Sequence, residues 1–96
     1  MRYYIKIHKK REDAITAICD EEIIGKRFDE GDIHLEVSER FYNGRLIGDD
    51  AAADEMNNAR ILNITGKNII NLALKKGVIK KSNILQVQRI PHAEVC

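Results

Sequence analysis

The sequence predicts an α+β fold: one small domain over residues 1–96, with a mostly antiparallel sheet of four to five strands and two main helices. Three observations predict it. Two strand-like segments at the start are separated only by a short polar run, as in a hairpin. The clearest alternation of apolar and polar residues, at Ile33, Leu35 and Val37, follows without an intervening long helix. Helical patterning is confined to the second half, so regular strand-helix alternation is absent and a doubly wound parallel sheet is disfavoured.

Tyr3, Ile5 and Ile7 alternate with Tyr4, Lys6 and His8 in the period-two pattern of a half-buried strand. Lys9 to Asp13 forms the hairpin loop, and Ala14 to Cys19, rich in small and β-branched residues, forms the return strand. Asp20 then serves as N-cap of a short helical turn through Glu21, Glu22 and Ile23, which Gly25 ends. Asp29 to Asp32 is a turn that leads into the strand from Ile33 to Val37, with His34 and Glu36 facing solvent. Asn43-Gly44 tolerates positive φ and marks a tight reversal between Phe41-Tyr42 and Arg45-Leu46-Ile47.

Asp50 to Ala59 reads as a helix, with acidic residues in its first turn where the dipole favours them and a thin apolar face at Ala52, Met56 and Ala59. Ile61 to Ile64 fits either a strand or a continued helix. Thr65-Gly66 begins the strongest helix, in which Ile69, Ile70, Ala73 and Leu74 share one face and Gly77 is the C-cap. Lys80 to Asn83 is a loop, and Ile84 to Ile90 is a last strand stopped by Pro91.

The chain has 96 residues, is 44% hydrophobic and 32% charged, and contains one proline and no tryptophan, as an ordinary folded domain does. No apolar run reaches the roughly 18 residues of a membrane span. Met1 to Lys6 reads as strand and not as a signal peptide, which together with only two cysteines points to a cytoplasmic protein. The charge is unevenly distributed. Residues 1–11 carry five basic and no acidic side chains, residues 12–55 four basic and fourteen acidic, and residues 56–96 seven basic and one acidic. Segment charges of +5, −10 and +6 therefore lie behind a formal net charge of +1. If the basic ends meet on one side of the fold they form a surface that steers a polyanion; if they lie apart they are solvated lysines.

Four constellations carry candidate chemistry. Cys19, beside Asp20, Glu21 and Glu22, stands near a helix N-terminus that lowers a thiol pKa, while the carboxylates oppose ionisation; the plainer reading is a buried structural cysteine. His92 and Cys96 have no ordinary zinc spacing, so neither a metal set nor a cofactor site is read. Asn63 to Lys67 enters the main helix, where Lys67 and free N–H groups suit a phosphate, with Thr65 as simple N-cap the alternative. Arg40, Phe41, Tyr42 and Arg45 offer a stacking platform for unpaired bases or a partner peptide, with one aromatic exposed and its neighbour in the core if the segment is a strand.

The ordered set Cys19-Asp20-Glu21-Glu22, Ile24-Gly25-Lys26, Val37-Ser38-Glu39, Phe41-Tyr42, Gly44, Asn63, Gly66, Gly77 and Pro91-His92-Ala93 resembles the small archaeal family catalogued as domain of unknown function four-twenty-four, over essentially the whole chain. The resemblance implies an archaeal cytosolic α+β protein and no particular activity. It marks Phe41, Asn63 and His92 as residues that backbone conformation alone does not explain, and it leads one to expect an aliphatic residue where Thr65 stands.

The reading that follows is a noncatalytic binding module with RNA or a ribonucleoprotein of the translation apparatus as partner. Its candidate binding residues are Lys9, Lys10, Arg11, Arg40, Tyr42, Asn63, Lys67 and His92, with further lysines at 6, 75, 76, 80 and 81. The alternatives are a small enzyme or metal-dependent protein built on Cys19, Asp20 and His92, or a protein-protein adaptor that uses the acidic segment. Self-association is left open.

Overall fold

In the computed structural model, which describes residues 1–96, the chain forms eight strands and three α-helices. β1 (Arg2–Lys10) and β2 (Asp13–Asp20) make the expected opening hairpin, with Ile5 opposite Ile18 and Tyr3 opposite Asp20. A 3-10 turn, Glu21–Ile23, follows. Next come β3 (Arg27–Glu30), β4 (Ile33–Glu36), α1 (Glu39–Tyr42), β5 (Arg45–Gly48) and α2 (Asp49–Asn58). The chain ends with β6 (Ile61–Thr65), α3 (Lys67–Lys75), β7 (Ile84–Val87) and β8 (Ile90–Val95).

Six strands form one sheet in the order β5-β1-β2-β6-β8-β7, and β3-β4 is a separate two-stranded hairpin. The α+β class holds, but the sheet is larger than expected and is mixed, because β2 and β6 pair in parallel. The reason lies in the helices. A helix that returns the chain across a sheet delivers the next strand in the same direction, and α2 and α3 each do this on the same face. An opening hairpin is therefore compatible with a parallel pair at the centre. Ile61 to Ile64, ambiguous in sequence, belongs to that central strand, which takes in Thr65 as well.

The tight reversal expected at Asn43-Gly44 is replaced by a helical turn. Ser38 Oγ accepts from the Phe41 N–H at 3.2 Å and caps α1, so Phe41 and Tyr42 are not strand neighbours on opposite faces. Gly44 is needed for space: a Cβ there would run into the Ile5 carbonyl of the adjacent strand. The expected final strand is also two strands. Gln88 and Arg89 form a two-residue turn between β7 and β8, with Val87 opposite Ile90, and Pro91 continues in β8.

Alternation along the strands sorts side chains into two layers. Tyr3, Ile5, Ile18, Leu62, Ile64 and Ala93 face α2 and α3 and pack on Ala52, Met56, Ile69, Ile70 and Ala73. Ala17 and Cys19 face the other way, against Ile23, Val37 and Tyr42, beneath the β3-β4 hairpin and α1. Both sides of the sheet are therefore covered, which accounts for the near-continuous burial of Thr16 to Asp20.

Candidate functional site

On the hairpin side, β6 and β8 run antiparallel with Asn63 opposite Glu94 and Thr65 opposite His92. Period-two alternation places these four polar side chains on one face. α1 lowers Tyr42 onto them from above. Tyr42 Oη donates to Asn63 Oδ1 at 2.7 Å and lies 2.9 Å from Thr65 Oγ1, which is 2.6 Å from His92 Nδ1. Glu94 Oε1 closes the circuit, accepting from Asn63 Nδ2 at 3.0 Å and lying 3.3 Å from His92 Nε2.

Counting protons around this ring fixes the directions at Glu94 and Asn63. A carboxylate only accepts, so Glu94 takes an N–H from Asn63 and one from His92, and the Asn63 carbonyl must then face Tyr42. With the Tyr42 proton spent on Asn63, the single Thr65 hydroxyl hydrogen serves either Tyr42 Oη or His92 Nδ1. Burial pushes the Tyr42 hydroxyl well above the ordinary phenol range, so it stays a donor.

The ring forms part of the floor of an open cleft of about 530 Å³, walled by Ile33, Phe41, Leu85 and Val87. Ile33 and Leu85 are more than 40% exposed although large and apolar. Glu36 and His34 lie at its margin, and neither lysine nor arginine lines it. The ring leaves two polar groups available: the second Asn63 amide hydrogen and the second oxygen of Glu94, a donor beside an acceptor.

α1 is held in place from β1. Lys6 Nζ donates to the Arg40 carbonyl at 2.8 Å, and His8 Nε2 donates to the Phe41 carbonyl at 2.7 Å. The His8 ring also stacks on Phe41 with centroids 4.6 Å apart. Cationic and N–H donors thus satisfy the carbonyls at the C-terminal end of a one-turn helix.

Of the residues singled out from sequence, the structure brings Tyr42, Asn63 and His92 together in this ring. Tyr42 is buried, and Phe41 is the aromatic that borders the cleft. Arg40 is exposed on α1. Lys9, Lys10 and Arg11 lie at the tip of the β1-β2 hairpin and do not line the cleft; Lys10 and Arg11 share a concavity with Glu12 and Asp13. Lys67 begins α3 on the helical side, so the basic residues of the two chain ends do not share the cleft. Sequence reasoning missed the roles of Thr65 and Glu94. A signal for Glu94 was present: it is the sole acid among residues 56–96, and the His92-x-Glu94 spacing puts both side chains on one face of a strand.

Cys19 and Asp20 are adjacent in β2 and project to opposite faces, so Cys19, Asp20 and His92 do not converge into one catalytic group. Burial, reinforced by the Asp20 charge, pushes the Cys19 thiol up to about 12. Asp20 instead reaches α3, accepting from the backbone N–H of Asn68 at 2.9 Å and of Ile69 at 2.8 Å. It caps that helix from another strand and makes no side-chain cap to the turn that follows it in sequence. The place expected for Thr65 as N-cap is taken by Gly66, whose φ is +126° and whose missing Cβ leaves room for the Asp20 carboxylate.

No group of three or more His, Cys, Asp or Glu side chains is arranged to hold a metal ion. No helix is long and apolar enough to cross a membrane.

Fold and site together define a small α+β domain with two crossover helices on one side of a mixed sheet and a polar-floored cleft on the other. The chain belongs to the family described as protein of unknown function (DUF424), whose model matches residues 8–96. Its fold is similar to the crystal structure of an uncharacterized conserved protein from Methanopyrus kandleri, with a TM-score of 0.84 and 23% identity over 99% of this chain and 90% of that one. No curated protein matches the chain.

Proposed function

We propose that the protein is a noncatalytic binding module for single-stranded RNA, of the kind that works within or beside a ribonucleoprotein, and that one unpaired base enters the cleft between the β3-β4 hairpin and β7. The observation that carries the reading is the free donor and acceptor of Asn63 and Glu94, set side by side beneath the apolar walls of Ile33, Phe41 and Leu85. A nucleobase presents this combination: a flat apolar face with hydrogen-bonding groups along its edge. The absence of lysine and arginine from the lining suits an uncharged ring, and the phosphates of such a ligand belong outside the cleft.

Fluorescence anisotropy with short labelled oligoribonucleotides in low salt tests this. Single strands should bind, with one base preferred over the other three, and a duplex of the same length should bind much more weakly. Leu85→Asp, at an exposed wall position, should weaken binding about tenfold or more, the scale of one lost base contact. Absence of binding at low salt, or equal affinity for duplex and single strand, would rule the reading out.

A further inference from the structure

β7 is an edge strand with a cleft on each of its faces. Leu85 and Val87 point into the cleft described above, while Ile84 and Gln86 point to the helical side. There, between β7 and α3, lies an open groove of about 650 Å³ lined by Lys67, Asn71, Lys81, Gln86 and Arg89 among others. It has no acidic residue in its lining. Resting on the RNA reading above, we infer that this groove takes the phosphate backbone of the same strand whose base occupies the opposite cleft.

Three independent features support the assignment. The cations are uncompensated: Arg2, Arg27, Arg45 and Arg60 each lie within ion-pair distance of a carboxylate, whereas Lys67, Lys81 and Arg89 have no such partner. In a chain of net charge +1, three free positive charges in one groove are a local excess. The donor types match the ligand, since lysine serves as a point charge for phosphate, arginine offers a planar fork, and Asn71 and Gln86 add neutral donors.

The third feature is backbone strain. Gln88 and Arg89 connect β7 to β8 with φ of 50° and 65°. A two-residue hairpin turn with both central residues left-handed is the natural place for Asn-Gly, which reaches that region with less steric conflict. Two long side chains are held there instead, and the Gln88 N–H is fixed by Glu30 Oε1 at 2.7 Å. The strained turn presents Arg89 to the groove.

The test is the salt dependence of oligoribonucleotide binding. Each phosphate contact on a single strand contributes about 0.7 to the slope of log affinity against log salt concentration. The Lys67→Gln, Lys81→Gln, Arg89→Gln triple variant should lower the magnitude of the slope by roughly 2 while preserving the base preference. The Gln88→Asn, Arg89→Gly double variant should melt at a higher temperature than the wild type yet lose part of the slope, which separates a ligand contact from a structural role. Binding with a wild-type slope in the triple variant overturns the groove and leaves the base cleft standing. No RNA binding by the wild type overturns both. Competition by polyglutamate as effective as that by RNA overturns the nucleic-acid assignment in favour of an acidic peptide.

Discussion

Cys19 shows how a reactive residue type becomes inert through placement. It lies fully buried in β2 with its thiol pushed up to about 12, so at pH 8 it stays in the unreactive thiol form. Cys96 is exposed. Iodoacetamide at pH 8 should therefore modify one cysteine in the native protein, Cys96, and the second only in denaturant; native labelling of Cys19 at the rate of a free thiol would contradict its placement. The ring around His92 was legible in part. Tyr42, Asn63 and His92 each stood out in the sequence, but Thr65 reads locally as a helix cap and Glu94 as a tail residue. Their roles depend on β6-β8 register, which pairs residues about thirty positions apart and leaves no local trace.

The same limit applies to whole elements. β1, β2, α2 and α3 follow from periodicity and end chemistry, and the structure places them within a residue or two of the expected bounds. What sequence left open was pairing: a hairpin can be recognised from its two halves, whereas the parallel β2-β6 contact depends on α2 returning the chain over the sheet. Asp20 is the clearest instance, because the helix it caps begins 47 residues later. Replacing Asp20 with Ala leaves two N–H groups at the buried start of α3 without acceptors and should cost about 2–3 kcal/mol in chemical denaturation. Gly66→Ala should cost about 3 kcal/mol or more, because the added methyl meets the Asp20 carboxylate and the backbone sits in a region that L-residues rarely adopt. If Gly66→Ala proves neutral, the strand-to-helix cap is not tight.

A sheet covered on both faces buries titratable groups from both sides, and this fixes how the whole molecule responds to alkali. Tyr3 on the helical side and Tyr42 and Cys19 on the hairpin side all have their pKa raised, chiefly by burial, and the Asp49 carboxylate that accepts from Tyr3 Oη at 2.6 Å adds to the shift. The folded protein therefore holds these protons to higher pH than the unfolded chain does. Unfolding releases them, and is favoured as pH rises. Their contribution is complete below the ordinary thiol and phenol range and is lost above it, for Cys19 between about 9 and 12. The Asp20 carboxyl is also raised, chiefly by burial, while the Asn68 and Ile69 N–H groups oppose the shift. Each group titrating only in the unfolded chain removes up to about 1.4 kcal/mol per pH unit, so the denaturation midpoint should fall steeply above pH 9. Tyr3→Phe removes one of the three groups without removing a core ring, and its midpoint should decline less steeply than that of the wild type over the same interval; parallel curves would show that the Tyr3 hydroxyl ionises as freely in the folded protein as in the unfolded chain.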